Sequence, residues 1–228
     1  MNLEQRKLWN ENHQQLTALL PNPKEHDQAV ELFLRQHAWL YSSRMLDSGL
    51  ETMEDELLDG ITEETFRQYP APARDTKNSI AWHLWHIARI EDMTMNVLVG
   101  GREQVFHTGD WSRKLNIHII HTGNGMTEEE AAELSAKMDL AALLDYRLEV
   151  GKKTREAIGL LEPGQFKRKV TPDGIQTLRD QGAVKPDAEW LLDYWGNKTF
   201  AGLVLMPATR HNFLHLNKAI RIKQKIQK

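Results

Sequence analysis

The sequence predicts an all-α protein built on a four-helix bundle. Apolar residues recur at helical spacing over long segments, and valine, isoleucine and threonine hardly ever alternate with polar residues as they do in strands. Proline and glycine mark the segment ends. The 228 residues are enough for one domain with a sizeable core. We therefore expect a single domain over 1–228, with an N-terminal helical extension (1–23) and loop insertions at 100–126 and 162–187.

Capping and helix-breaking residues predict where the helices begin and end. Thr127 opens a capping-box pattern, and Asn78 or Ser79 can cap an earlier helix. Asp187 can cap a further helix, and Pro207 suits the first turn of the last one. The predicted helical segments are 3–20, 24–46 (ending near Gly49), 51–69 (one or two short acidic helices broken at Gly60), 78–99, 127–161, 187–195 and a last helix from Pro207.

The charge balance argues against a nucleic-acid partner. A formal net charge of −3 and a pI near 6.4 lack the basic footprint of a nucleic-acid binder. One basic run closes the last helix, where cations complement the helix dipole; phosphate binding is the alternative interpretation. The residues of this run are Lys218, Arg221, Lys223, Lys225 and Lys228.

The absence of cysteine excludes disulfides, zinc–thiolate sites and a cysteine nucleophile. The N-terminus lacks the apolar segment of a signal peptide, and the apolar run 203–206 is too short to span a bilayer. These features predict a cytoplasmic protein without a membrane partner.

His211 and His215 are the first candidates for a functional site. They are four positions apart on one helix face, where two imidazoles can bind the same metal ion. That face continues through Ala219, Ile222 and Ile226 as a core stripe. The alternative is a pair of core histidines bonded to backbone or carboxylate groups. A metalloprotease motif is excluded, because asparagine rather than glutamate follows the first histidine.

A second apolar helix, 78–99, carries His83 and His86. In a bundle, either residue can face His211 and His215. The three neutral nitrogen ligands would match the number found in metal sites that keep a position open for water or substrate. The helical wheel does not choose between His83 and His86. Either one could also be an ordinary core or surface histidine.

Two motifs resemble one known superfamily. Asn78-Ser79-Ile80-Ala81-Trp82, followed by His86-Ile87-Ala88 and Glu91, is similar to the second-helix signature of the DinB/YfiT-like superfamily of metal-dependent proteins. The His-x3-His of residues 210–216 is similar to the last-helix motif of the same superfamily. The order and separation of the motifs also match, and the resemblance covers about residues 25–226.

The resemblance implies a bundle with up-down-down-up helix directions, often dimeric, so a homodimer is expected. It implies a nickel or zinc ion with three ligands: His86, His211 and His215. His83 replaces a usually apolar residue, so it either supports a ligand or has no role. Glu91 matches a frequent acid that can orient a ligand or line the pocket. Our alternative interpretation pairs Glu91 with Arg210, itself a candidate pocket residue, or with another base.

Characterised members of the superfamily include transferases and isomerases that use low-molecular-weight thiols such as bacillithiol. The resemblance therefore implies a metal-dependent thiol S-transferase acting on small electrophiles, since a divalent ion stabilises the nucleophilic thiolate. The alternatives are a metal-dependent hydrolase, a non-catalytic, stress-associated metal-binding protein, or histidines that bind no metal in the cell. No residue is assigned a catalytic role of its own.

Other residues are weaker candidates. His118 and His121, in the 100–126 loop, could cover the site as part of a lid. The aromatic residues of 190–195 suit the core better than the wall of a substrate cavity. His37, on the first bundle helix, is a further candidate for the pocket.

Overall fold

Helices provide the regular structure of residues 3–46 and 51–228, the part of the chain that the computed structural model describes. Two π-helical segments extend α-helices: Asp92–Val99 continues α5, and Met206–His211 joins α12 to α13. These residues form no strand beyond one isolated bridge between Lys169 and Thr199, so the all-α prediction is confirmed. The α-helices are α1 (Leu3–Leu19), α2 (His26–Trp39), α3 (Met53–Leu58), α4 (Glu63–Arg67), α5 (Ile80–Glu91), α6 (Val105–Thr108), α7 (Trp111–Lys114), α8 (Glu128–Lys137), α9 (Leu140–Gly159), α10 (Pro172–Asp180), α11 (Trp190–Gly196), α12 (Phe200–Leu205) and α13 (Asn212–Ile226).

Four helices, α2, α5, α9 and α13, form the bundle. α5 packs against both α9 and α13, and α2 packs against α9 and the π-helical segment before α13. The direction of α13 follows from its contacts with α5. His83 contacts His215, whereas Glu91, two turns further along α5, contacts Asn212. α5 and α13 are therefore antiparallel.

α9 runs parallel to α5. Arg89 of α5 donates a hydrogen bond to the Tyr146 hydroxyl (3.0 Å) in the first half of α9. Further along both helices, Gly100 lies against Ala157. Parallel neighbours need a long crossover connection, and the segment between residues 100 and 139 provides it.

α2 runs antiparallel to α9, which completes the set of helix directions. Arg147 of α9 donates to the Leu40 carbonyl (2.7 Å) just after α2, and Arg155, two turns later, donates to the Leu34 carbonyl (2.7 Å). In chain order the four helices therefore run up, down, down and up. This is the arrangement that the resemblance implies.

Two apolar clusters fill the space between the helices. One surrounds α5, the first half of α9 and α13, and the other surrounds Asp92–Val99, α11 and α12. α1 covers the bundle from outside. Its buried Trp9 stacks on Phe213 of α13, with ring centroids 3.7 Å apart and planes 10° apart. The N-terminal extension thus supports the helix that carries two of the candidate ligands.

Two predicted helices are shorter than expected. α2 ends at Trp39, followed by the 3₁₀ turn Ser43–Met45, so the prediction of a helix to residue 46 is wrong; Gly49 lies outside the described residues. The predicted helix 127–161 is two helices, because Met138 is extended and Asp139 caps α9 by accepting from the Ala142 amide (2.8 Å). The Asp139 cap therefore starts a new helix although the apolar pattern continues through this position.

The last helix does not begin at Pro207, so that prediction is also wrong. The helical path starts at Phe200 and passes through Pro207 in a π-helical segment. A proline inside a helix lacks the backbone donor, and a wider turn accommodates it. The Thr209 hydroxyl lies 2.9 Å from the carbonyl oxygens of both Val204 and Leu205, so it can donate to either of them.

Several smaller predictions have clear outcomes. The acidic segment 51–69 does form two short helices, α3 and α4, and the capping box at Thr127 is present. Asp187 does not cap α11, since it lies within the 3₁₀ turn Pro186–Ala188 and α11 starts at Trp190. No helix among the described residues is long and apolar enough to cross a membrane.

Arg147 connects several elements at the centre of the bundle. It is fully buried, and its guanidinium donates to the Glu54 carboxylate (2.6 Å), to the Asn212 side-chain oxygen (2.9 Å) and to the Leu40 carbonyl. A buried ion pair of this kind is strongly destabilising when one partner is removed, because the other charge stays buried and unpaired.

We expect Arg147→Met to lower the free energy of unfolding by about 3–5 kcal/mol, because Glu54 is left without its cation. The matched control is Arg35→Met, whose exposed pair with Glu31 is expected to contribute at most about 1 kcal/mol. Denaturant unfolding of both variants measures the difference. Equal losses in the two variants would contradict this account of the bundle centre.

Candidate metal centre

His86, His211 and His215 lie together between α5 and the start of α13. Each offers a ring nitrogen, and the three atoms lie within 4.8 Å of one another, a group that could hold a metal ion. The ring centroids are 5.0 Å apart for His86 and His211, 4.9 Å for His86 and His215, and 4.4 Å for His211 and His215. His86 is buried, and the other two are half-buried.

The antiparallel packing of α5 and α13 brings these residues together. His211 and His215 stack one turn apart on the face of α13 that meets α5. The structure also makes the choice that the helical wheel leaves open. His86 completes the three-histidine group, and His83 lies beside it, against His215.

A backbone carbonyl fixes the protonation pattern of His86. Its Nδ1 lies 2.6 Å from the carbonyl oxygen of Thr122. Because a carbonyl can only accept, Nδ1 carries the hydrogen, and Nε2 keeps the lone pair that a metal ion requires. Metal-binding histidines commonly have such a hydrogen bond on the nitrogen away from the metal.

A second hydrogen bond orients His215. Its Nδ1 lies 2.9 Å from Nδ1 of His83, whose Nε2 lies 3.4 Å from the Thr76 hydroxyl oxygen. One consistent assignment has His83 donate to Thr76 through Nε2 and accept from His215 at Nδ1. Nε2 of His215 is then a free lone pair beside the other two imidazoles. His83 therefore supports a candidate ligand through its position, one of the two roles considered for it.

His211 differs from the other two histidines. Its Nδ1 is buried and has no hydrogen-bond partner among the described residues. Burying a polar atom without a partner is unfavourable. A cation bound between the three imidazoles would give the His211 ring the partner that it lacks. The residues present therefore fit a metal ion.

Burial keeps the histidines neutral, as metal ligation requires. It lowers the pKa of His86 to about 4 and that of His83 to about 3. The pKa values of His211 and His215 are lowered as well, mainly by burial and to a smaller extent by the neighbouring histidines and Lys218. All four imidazoles are therefore neutral at pH 7.

Trp82 and the 121–126 segment close one side of the cluster. The Trp82 indole stacks on the His86 ring, with centroids 4.4 Å apart and planes 16° apart, and its Nε1 lies 3.3 Å from the Met126 sulfur. Gly123 approaches so closely that a Cβ there would lie 2.6 Å from the Trp85 ring. The long loop thus contributes to the site chiefly through Thr122. Its His121 accepts from the Gly123 amide and lies at the edge of Trp85.

Glu91 lies in a buried network beside the cluster. Its carboxylate is 2.8 Å from Nε2 of His37 and accepts from the Asn212 side-chain amide at 2.7 Å. Burial raises the pKa of Glu91, but its interaction with His37 and the hydrogen bonds that it accepts hold this pKa below its usual value. Burial lowers the pKa of His37 as well, so the contact is best described as a hydrogen bond between buried groups. Asn212 directly follows His211, so Glu91 fixes the backbone next to a candidate ligand.

The proposed pairing of Glu91 with Arg210 is wrong; the base that pairs with Glu91 is His37. Arg210 contacts the Asn10 side chain (3.4 Å) and the face of Trp9 on α1, so it contributes to the packing of α1. His37 lies next to Glu91 and not against the three histidines.

The remaining candidates lie away from the cluster. His118 is exposed and lines a separate cavity of about 490 Å³ with Glu133 and Lys137. Trp195 is buried in the second apolar cluster, which supports the core interpretation, whereas Trp190 is exposed.

Three features of the site do not follow from the sequence analysis. The Thr122 carbonyl is a backbone group and gives no signal in the residue pattern. The stacking of Trp82 on His86 has a signal, because an aromatic residue four positions before a histidine can stack on it in a helix. Asn212 excludes a metalloprotease motif, but the residue pattern does not show that its buried amide joins α13 to α5.

The fold and the cluster define a helical bundle with three histidines at the contact of two antiparallel helices. The chain belongs to the DinB superfamily, whose model matches residues 50–216. A crystal structure of a conserved protein from Enterococcus faecalis is similar over 89% of this chain and 97% of that chain, with 18% identity and a TM-score of 0.54. At this identity the similarity shows the fold alone. No curated protein matches the chain in sequence.

Replacing His86 tests the effect of its burial on stability. The pKa of His86 is about 4 in the folded chain against 6.5 for an ordinary histidine, so the unfolded chain binds the extra proton as the pH falls. We expect the unfolding free energy of metal-free protein to decline from pH 6.5 towards pH 4, by up to about 1.4 kcal/mol per pH unit for each such histidine.

In His86→Gln this part of the decline should disappear, as measured by denaturant unfolding across the same pH range. His118→Gln is the matched control, since it removes an exposed histidine. Equal pH dependence in the two variants would contradict the account.

Proposed function

We propose that the protein binds one divalent metal ion, nickel or zinc, through His86, His211 and His215 and acts as a thiol S-transferase on small electrophiles. The observation that carries the proposal is the convergence of three neutral imidazoles within 4.8 Å. A hydrogen bond to a carbonyl sets the free nitrogen of His86, one consistent assignment leaves Nε2 of His215 free, and His211 has an orphaned buried nitrogen. Membership of the DinB superfamily, which often binds metals, supports the same conclusion.

The composition of the site favours an anionic nucleophile. The three ligands are neutral, and the neighbouring Glu91 is engaged with His37 and Asn212. A divalent ion held there would keep its positive charge and supply a Lewis acid that favours the thiolate form of a thiol. Three protein ligands also leave positions free for another molecule.

The chain's own residues provide positioning and partial exclusion of water. Trp82 and the 121–126 segment cover the His86 side, whereas His211 and His215 are half-buried and leave an approach for small molecules. In the proposed reaction the thiol loses its proton to solvent, and its sulfur forms a bond to the electrophilic carbon. The leaving group departs with the pair of electrons from the broken bond. Positioning of the two reactants is the main contribution of the bundle.

A hydrolase has less support from the geometry. Water activation commonly uses a carboxylate base near the metal. The buried acid nearest to the cluster in the network described above, Glu91, is bonded to His37 and Asn212 and is fully buried. Asn212 follows His211 where a metalloprotease has glutamate. We therefore retain hydrolysis only as an outcome of the activity test.

Metal content is the first test of the proposal. Protein purified without a histidine tag should contain about one divalent ion per chain, measured by elemental analysis after dialysis. His211→Ala should lower the content to near zero, because two nitrogens and an unfilled position hold the ion weakly. His118→Ala, which removes an exposed histidine, should keep the full content. Metal far below one per chain in the wild type would contradict the proposal.

Activity is the second test. We expect metal-loaded protein to conjugate a small thiol to a chromogenic electrophile, and expect the product to be absent with chelated protein or with His211→Ala. The measurement follows the thioether by absorbance and mass spectrometry. Hydrolysis of an ester without thiol would favour the hydrolase instead. Inactivity in both assays, with thermal stability lost on chelation, would favour a non-catalytic metal site.

A further inference from the structure

Lys218 lies on the same face of α13 as two of the candidate ligands. It follows His211 by seven residues and His215 by three, and both spacings return to the same side of a helix. The side chain is half-buried. Burial is the main cause of the lowered pKa values of the four histidines His83, His86, His211 and His215, and the charge of Lys218 makes a smaller contribution to each.

The helix dipole does not account for this lysine. α13 continues to Ile226, and its last turn contains Lys223 and Lys225. A favourable effect of the dipole is confined to the last turn of a helix. The sequence-based interpretation of the basic run therefore fits Lys223 and Lys225, but not Lys218.

Lys218 also differs from the next two basic residues of α13, Arg221 and Lys223, in having no partner. Arg221 is paired with Asp75 at 2.8 Å, and Lys223 donates to the carbonyls of Glu56 and Asp59. Over residues 3–46 and 51–228, Lys218 has no hydrogen bond or ion pair. A half-buried ammonium group without an anion, beside a cluster of neutral imidazoles, leaves this region positively charged.

We propose that Lys218 binds the carboxylate of an anionic thiol whose sulfur reacts at the three-histidine site. This inference rests on the proposed function and specifies its cosubstrate class as a mercaptocarboxylate-type thiol. The argument is charge complementarity. The site offers neutral ligands, a divalent ion when loaded and an unpaired ammonium one turn from His215, so an anionic ligand is favoured over a neutral one of the same size.

Calorimetric titration of metal-loaded protein tests this proposal with two thiols that differ in charge. The probes are 3-mercaptopropionate and its neutral analogue 3-mercaptopropanol. We expect wild-type protein to bind the anionic thiol about fivefold more tightly, the ratio expected from one partly exposed ion pair. Lys218→Met should reduce the ratio to about one, and Lys218→Arg should restore it.

Lys225→Met is the matched control, since it removes the same charge from the same helix two turns away. It should keep the wild-type ratio, and metal content should be equal in all four proteins. Binding of both thiols with equal affinity to the wild type, or an unchanged ratio in Lys218→Met, would overturn the proposal for Lys218 alone. Binding of neither thiol would contradict the transferase function as well.

Discussion

The antiparallel contact between α5 and α13 is the interaction on which the candidate site depends. It places His86 opposite His211 and His215, and it buries imidazoles that water would otherwise solvate. Burial of polar groups is tolerated only when they find partners. The Thr122 carbonyl supplies one for His86, and His83 supplies one for His215. His211 differs, since its buried Nδ1 has no partner among the described residues, and the three histidines bring one ring nitrogen each within 4.8 Å of one another.

A buried polar network holds this contact in register. Glu91 of α5 accepts from Asn212 at the start of α13, and Asn212 in turn accepts from Arg147 of α9. Arg147 also donates to the Glu54 carboxylate, and the Glu91 carboxylate also contacts Nε2 of His37 on α2. All four bundle helices therefore take part in the network. Because Asn212 adjoins His211, the groups that stabilise the bundle also position a candidate ligand. Stability and site geometry are thus coupled through a single asparagine.

The fold was largely predictable from the sequence, because apolar periodicity and caps such as those at Thr127 and Ser79 are local signals. The predicted helix boundaries were wrong where a local interaction opposed the apolar periodicity. Asp139 caps a new helix within a continuous apolar stripe, and the helix containing Pro207 continues because a π-helical segment accommodates the proline. For the candidate site, the four-residue spacing of His211 and His215 predicted that both lie on one helix face. The choice of His86 over His83 required the tertiary contact, and the Thr122 carbonyl is a backbone group that no residue pattern reveals.

In the proposed metal site, His86, His211 and His215 bind one ion and leave positions open, and the surrounding groups keep the three ligands neutral and oriented. X-ray absorption spectroscopy of the metal-loaded, untagged protein measures this coordination shell. For zinc, we expect three imidazole nitrogens at about 2.0–2.1 Å, with the remaining position filled by a light, exchangeable ligand. Addition of a small thiol should then introduce one sulfur at about 2.3 Å. A first shell made only of oxygen, or one that is unchanged in His211→Ala, would rule out the three-histidine site.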